Sequence, residues 1–278
     1  MLHEFQHLIN ASVNQINGGK AMDLWLNEAL SESTSVLFCP TRYDDRKLFF
    51  YLFHYYSFYS WYIDGTINYP VIINGVQIPN IHISYSSSSV FMRWILEKGD
   101  KETIKTIAHS SPSLDTGTRL VNSVQGLNIG NSVEEIFKSW IKDMYNGKID
   151  DVKFGVMDFM DNTYDSKLMD SSQRLPLAPG GFIIYDANKY NLDNVQGLSK
   201  EPLDESKNIY LAWNPKFDSV DVEGKINAND VIWINPIKIS PTATSKSEML
   251  NFDYSKFSRM PIDKVLTPEE VIRAKSRK

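Results

Sequence analysis

His3-Glu4-Phe5-Gln6-His7, close to the start of the chain, has the pattern H-E-x-x-H. Residues four apart lie on one face of an α-helix, about one turn apart, so the two histidines can direct their rings at a single point. That spacing suits a zinc ion, and Glu4 at the edge of the face can act as general base on a water molecule that the ion activates. The pattern predicts an α-helix over residues 1–17, whose buried stripe would be Phe5, Leu8, Ile9 and Val13. The alternative is an amphipathic helix with two surface histidines.

A second stretch, Trp25-Leu26-Asn27-Glu28-Ala29-Leu30-Ser31-Glu32, supplies a third candidate ligand. A catalytic zinc takes three protein ligands and keeps one position open, and Glu28 offers the carboxylate. The intervening residues 8–27 allow a turn at Gly18-Gly19, after which a second helix over residues 22–38 can pack on the first. Glu32, one turn beyond Glu28, can accept a hydrogen bond from the free ring nitrogen of a ligand histidine and so fix its tautomer. The alternative for both carboxylates is a solvated acidic helix face.

Taken together, the two motifs resemble those of the gluzincin metallopeptidases, which include thermolysin and the aminopeptidase N family. Trp-Leu-Asn-Glu is the aminopeptidase N form of the second motif, although the gap between the motifs is slightly longer here. The sequence His-Glu-Phe-Gln-His-Leu-Ile-Asn, followed by Trp-Leu-Asn-Glu-Ala-Leu-Ser-Glu, is most similar to the corresponding segments of the hyicolysin-type neutral metallopeptidases. The resemblance covers residues 1–147. It implies zinc-dependent peptide hydrolysis with His3, His7 and Glu28 as ligands, Glu4 as base, and an extracellular or cell-envelope location.

Peptide hydrolysis passes through a tetrahedral oxyanion, which needs a hydrogen-bond donor besides the zinc. Tyr85 precedes a predicted helix, similar to the aminopeptidase N segment in which a tyrosine donates to the oxyanion. The segment departs from that family at Ser87-Ser88, where lysine and glycine are usual, and we expect the serines to cap the start of the helix. His82, in a strand-like stretch, is the alternative donor, because thermolysin uses a histidine for this role. By analogy with thermolysin, Glu32 would orient His3.

Composition excludes several classes of partner. The chain has 278 residues, 42% of them apolar, which is enough for a sizeable core. Its formal net charge is -5 without clustered lysine and arginine, so nucleic acid is not an expected partner. It contains no run of about eighteen apolar residues, so no membrane span is expected. The expected partner is a peptide or protein substrate.

The pattern along the chain changes near residue 150. The aromatic stretch at residues 47–62 is predicted to be helical, with His54 packed rather than bound to metal. Beyond residue 150 short apolar runs alternate with turn residues, which favours an antiparallel sandwich or barrel and then a short helix from Thr267. The predicted fold is a mainly α catalytic domain over residues 1–150, gluzincin-like but lacking its N-terminal sheet, followed by a small antiparallel β-sandwich-like domain over residues 151–278.

The start of the chain bears on activity. His3 lies two residues after Met1, whereas the resemblance implies a preceding sheet on which an extended substrate binds. We therefore expect the chain to be the carboxy-terminal part of a longer enzyme, or the product of a gene whose start is placed too late. Three functions follow: a zinc metalloendopeptidase, a catalytically incomplete fragment that acts as a surface binding or accessory protein, and an aminopeptidase.

Overall fold

A computed structural model describes the chain over residues 2–16, 18–39, 43, 46–47, 50, 57–63, 71–73, 76–78, 81–148, 175–234 and 237–238. The helices are α1 (Leu2–Ile16), α2 (Leu24–Phe38), α3 (Ile81–Lys98), α4 (Lys101–Ala108), α5 (Thr116–Val124) and α6 (Val133–Tyr145). The first ends at a glycine, because Gly18 takes a positive φ of 62° and the amide of Gly19 then donates to the Asn14 carbonyl (3.1 Å). Side chains cap the starts of α4, α5 and α6, namely Asp100, Asp115 and Ser132.

The strands lie mostly after the helices. They are β1 (Tyr62–Ile63), β2 (Val71–Ile73), β3 (Val76–Ile78), β4 (Leu175–Leu177), β5 (Phe182–Asp186), β6 (Tyr190–Asn191), β7 (Ser199–Asp204), β8 (Ile209–Trp213), β9 (Lys225–Ile226), β10 (Ile232–Ile234) and β11 (Ile237–Lys238). Strands β5, β8 and β7 form an antiparallel sheet, and β4–β10, β6–β11 and β2–β3 are antiparallel pairs. A helical part followed by a small β part is therefore confirmed.

One hydrophobic core joins the helical and β parts. Buried side chains of α2, α3 and α6 pack with those of β5 and β8 and with Phe217. Backbone hydrogen bonds also connect the two parts. Strand β1 pairs in parallel with β9, and the amide of Leu24, the first residue of α2, donates to the Val222 carbonyl (2.9 Å). The compact unit accordingly covers Met1–Ala243 and spans the division predicted at residue 150. The remaining unit, Thr244–Lys278, and with it the predicted terminal helix, lies outside the described residues.

Helix α3 begins earlier than the sequence predicted. Ser87 and Ser88 were expected to cap it, but they are buried inside the helix together with Ser86 and Ser89. Their small side chains let α3 pack closely, and the Ser88 hydroxyl donates to the carbonyl of Tyr85 (3.0 Å) instead of to solvent. Ser89 Oγ lies 2.8 Å from both that carbonyl and a Glu32 carboxylate oxygen, and its one proton serves either acceptor. His82 is consequently in the first turn of a helix rather than in a strand-like stretch, and its side chain lies outside the description.

Two further local predictions are wrong. The stretch expected to be helical to residue 62 is not helical at residues 57–61, because Tyr62–Ile63 pair with a distant strand. His54 lies outside the described residues. On α1, Phe5 and Leu8 were expected to be buried, yet both are exposed.

Across the described residues no helix is long and apolar enough to cross a membrane.

Candidate metal centre

Helices α1 and α2 bring three side chains to one point. His3 lies beside Glu32 and Asn10 beside Asn27, so the two helices run antiparallel. Between these contacts, the Nε2 atoms of His3 and His7 lie 3.0 Å apart. The Glu28 Oε2 atom lies 3.1 Å from the first and 3.3 Å from the second. The three residues are partly buried, and no other group of three histidine, cysteine or acidic side chains in the described part of the chain converges in this way.

These three atoms fit a cation. Ligand atoms about 2.0–2.1 Å from a tetrahedral zinc lie roughly 3.3 Å from one another, close to the observed separations. Glu28 Oε2 is buried and, within the described residues, has no partner in hydrogen-bond geometry despite the two nearby nitrogens. The three candidate ligand atoms therefore lie around a common point. Two imidazoles and one carboxylate are also the ligand types that a catalytic zinc takes.

The charge around the site favours a cation. Burial lowers the pKa of His3, but the nearby carboxylates of Glu28 and Glu32 outweigh it and raise that pKa to about 9. The neighbouring Glu28 carboxylate raises the pKa of His7 above its usual value, against the effect of burial. Burial opposes ionisation of Glu28, yet the two histidines lower its pKa. The Glu28 and Glu32 carboxylates thus favour positive charge at this point.

Glu32 lies behind His3. Its Oε1 atom is 3.1 Å from His3 Nδ1, the ring nitrogen that faces away from the convergence point. Glu32 is 2% exposed and is bound by Arg46 through two hydrogen bonds (2.8 and 3.0 Å) and by the Ser89 hydroxyl (2.8 Å). Burial alone would raise its pKa, but the bonds from His3 and Arg46 lower it to about 2. The carboxylate is therefore ionised and fixed, and it directs His3 Nε2 towards the site.

A separate set of amides and hydroxyls lies behind His7. Asn27 Oδ1 is 3.2 Å from His7 Nδ1 and accepts from Asn10 Nδ2 (2.6 Å), while Ser31 Oγ lies 3.1 Å from the same ring nitrogen. These contacts hold the ring with Nε2 towards Glu28. Sequence reasoning missed Asn10, Ser31 and Arg46. A signal for Asn10 existed, because His3, His7, Asn10 and Asn14 recur at helical spacing along one face of α1.

The remaining candidates lie around this cluster. Glu4 is exposed in the first turn of α1, next to His3 in the chain. Tyr85, predicted to precede a helix, is inside α3, and its ring lies edge-on to that of His3 with 5.5 Å between centroids. The structure therefore places Tyr85 beside His3, one of the candidate ligands, whereas for His82 it describes only the backbone.

Comparison of the chain with protein-family models, with curated proteins and with solved structures finds no match. The likeness to gluzincins therefore rests on the two motifs. The geometry of the metal centre stands independently of it, because it depends only on the positions of the side chains.

Proposed function

We propose that the protein is a zinc-dependent peptidase of the gluzincin type in which His3, His7 and Glu28 hold the ion. The observation that carries the proposal is the convergence of their three ligand atoms within 3.3 Å of one another. Zinc held there supplies Lewis-acid chemistry, since it acidifies water and polarises a carbonyl. A metalloendopeptidase is the mode we favour. The aminopeptidase mode and an extracellular or cell-envelope location stay predictions from the motifs.

Glu4 serves as the general base in this proposal. Adjacent residues on a helix are about 100° apart around its axis, so Glu4 lies at the edge of the face that carries His3. Its exposure lets it reach a water molecule in an open cleft. It accepts a proton from the attacking water and returns that proton to the leaving amine.

Tyr85 serves as the donor to the developing oxyanion. Its ring lies against His3, so its phenol is carried on a side chain that is fixed relative to the ligands. A donor that is already in place costs no reorganisation during the reaction. His82, one turn earlier on α3, stays the alternative donor.

The decisive variant is Glu4→Gln, which removes the base but keeps the shape of the side chain. We expect it to retain one zinc per chain and to lose about 10²–10⁴-fold in kcat, measured as chelator-sensitive cleavage of casein. Glu102→Gln is the matched control, because Glu102 is an exposed carboxylate in the first turn of α4. Cleavage by Glu4→Gln at the rate of the control would remove Glu4 from the mechanism.

One observation favours a second function, that of a surface binding or accessory protein without catalysis. The outer face of α1 exposes Leu2, Phe5, Leu8 and Ile16, and exposed apolar surface of this kind is typical of contact sites. The same experiment separates the two functions. Zinc binding without cleavage of casein by the unaltered chain would favour the accessory role, and chelator-sensitive cleavage would favour the enzyme.

A further inference from the structure

Arg46 touches two parts of the candidate site at once. Its side chain is 10% exposed and donates from Nε to Glu32 Oε2 (2.8 Å) and from Nη2 to Glu32 Oε1 (3.0 Å). The same guanidinium lies over the ring of Tyr85, with 5.2 Å from Cζ to the ring centroid. The guanidinium of Arg46 therefore binds the Glu32 carboxylate that lies behind His3. The same group also lies over the ring of Tyr85, the proposed oxyanion donor.

Both neighbours of Arg46 make further contacts around the site. Glu32 is held by Ser89 and lies against His3 as well as Arg46. The Tyr85 ring meets His3 and Trp61 edge-on, with centroids 5.5 and 5.1 Å away. Arg46 reaches the site from neither ligand helix, since it lies beyond the end of α2 in sequence. It therefore adds a fixed point that the zinc-binding helices do not supply.

Arginine is suited to this double contact. Its planar guanidinium presents a rigid pair of N–H donors that matches a carboxylate, and its face is attracted to an aromatic ring. Lysine keeps the charge but offers neither the fork nor the flat face. The contacts of Arg46 thus depend on the shape of the group and not on its charge alone.

We propose that Arg46 is a positioning residue that fixes the Glu32 carboxylate and the Tyr85 ring together, so that zinc affinity and oxyanion stabilisation depend on one side chain. The part that concerns Tyr85 rests on the proposed function. The part that concerns zinc rests only on the metal centre. Arg46 contacts neither substrate nor metal in this account and acts through its two neighbours.

The test compares Arg46→Lys with Arg93→Lys. Arg93 is the matched control, because it also binds a glutamate (Glu97, 2.8 Å) and lies over a tyrosine ring (Tyr43, 5.9 Å), but it does not contact the ligands in the described structure. Three quantities are measured: the zinc dissociation constant by competition with a chromophoric chelator, kcat and KM on casein peptides, and the ¹⁹F resonance of Tyr85 in fluorotyrosine-labelled protein. Tyr85→Phe assigns that resonance.

For Arg46→Lys we expect zinc affinity to fall about 10- to 100-fold, because partners behind a ligand histidine contribute this much. We expect kcat to fall with KM nearly unchanged and the Tyr85 resonance to shift, while Arg93→Lys changes none of the three. Zinc affinity within twofold of the unaltered protein together with an unmoved Tyr85 resonance would overturn the proposal.

Glu32→Gln provides a second route if Arg46→Lys does not fold. Loss of the carboxylate charge loosens the guanidinium, so we expect weaker zinc binding and a shifted Tyr85 resonance. A resonance that stays in place in Glu32→Gln contradicts the coupling. If the unaltered protein binds zinc but cleaves nothing, the peptidase function fails, while zinc affinity and the resonance still decide the role of Arg46.

Discussion

Helices α1 and α2 both carry proposed metal ligands, yet they are held in the molecule in opposite ways. The second buries an apolar face in the core, including Trp25, Leu26, Ala29 and Leu30. The first buries Asn10 and Asn14 and exposes Phe5 (57%) and Leu8 (67%). Its inner face consists of the ligand histidines and the amides that surround them.

The difference indicates what fixes each helix. Burial of a leucine side chain stabilises a protein by about 1.5–3 kcal/mol, and α2 has several such contacts. A hydrogen bond contributes about 0.5–1.5 kcal/mol net, and α1 is joined to α2 through a few of them. We infer that the core holds α2 whether or not metal is bound, whereas the position of α1 depends on the site that it helps to form.

The largest expected effect comes from matched leucine truncations in the two helices. Leu30→Ala in α2 removes a side chain that is 1% exposed and should lower the free energy of unfolding by about 2–5 kcal/mol. Leu8→Ala in α1 should change it by less than about 0.5 kcal/mol. Urea denaturation of both variants checks the comparison. Equal losses would mean that α1 contributes to the core as α2 does.

Removal of the metal should act on α1 selectively. At a free zinc concentration of about 100 times the dissociation constant, binding stabilises the native state by about 2.7 kcal/mol. Chelation should therefore raise amide hydrogen exchange in α1 by up to about 100-fold, with a much smaller change in α2. Mass spectrometry of peptides from the two helices resolves this. An equal rise in both helices would show that they are held in the same way.

Asn27→Ala should weaken the centre without unfolding it. The variant removes the oxygen beside His7 Nδ1 and leaves Asn10 Nδ2 with only its longer bond to the backbone carbonyl of residue 27 (3.5 Å). We expect zinc affinity to fall about 10- to 100-fold, measured by competition with a chromophoric chelator. Asn229→Ala, at an exposed turn of the β part, is the control and should bind zinc normally. Unchanged affinity in Asn27→Ala would mean that the His7 ring is oriented by other contacts.

The smallest effect is expected where the β part meets α6. Glu201 on β7 binds Lys138 (3.1 Å) and Lys142 (2.8 Å), and these lysines lower its pKa although burial opposes them. Because the pKa of Glu201 is lower in the folded than in the unfolded protein, these ion pairs stabilise the fold at pH values above the unfolded pKa of about 4.3. This stabilisation is lost as the pH falls through the folded pKa. Glu201→Gln should therefore cost less than about 1 kcal/mol at pH 7, and the difference should shrink in acid. Urea denaturation at pH 7 and pH 3 tests this. A larger loss in acid than at neutral pH would contradict the assignment.

The sequence was sufficient to predict the features that local spacing encodes. The H-E-x-x-H interval and the later Glu28 identified the three side chains that converge, and helical periodicity identified α1 and α2. The antiparallel pairing of β2 with β3 is also what the Asn74-Gly75 dipeptide between two apolar runs predicts. These features depend on residues close together in the chain.

Features that depend on distant residues could not be predicted. Nothing near Phe5 or Leu8 indicates that the polar face of α1 is the buried one, because that follows from the ligands on α2. The serines of α3 are residues typical of a helix start, and only the packing of α2 against α3 explains why they lie inside the helix. The helix expected to reach residue 62 stops because Tyr62–Ile63 pair with Lys225–Ile226, more than 150 residues away. No sequence motif includes Arg46, because its proposed positioning role depends only on its contacts in the folded protein.

The most direct test of the metal centre is the number of zinc ions per purified chain, measured by mass spectrometry after dialysis against a zinc buffer. The unaltered protein should hold about one zinc, His7→Ala should hold none, and His109→Ala, which removes an exposed histidine at the end of α4, should hold about one. An unaltered chain without zinc, or a His7→Ala variant that keeps one equivalent, would contradict the assignment of His3, His7 and Glu28 as the ligands.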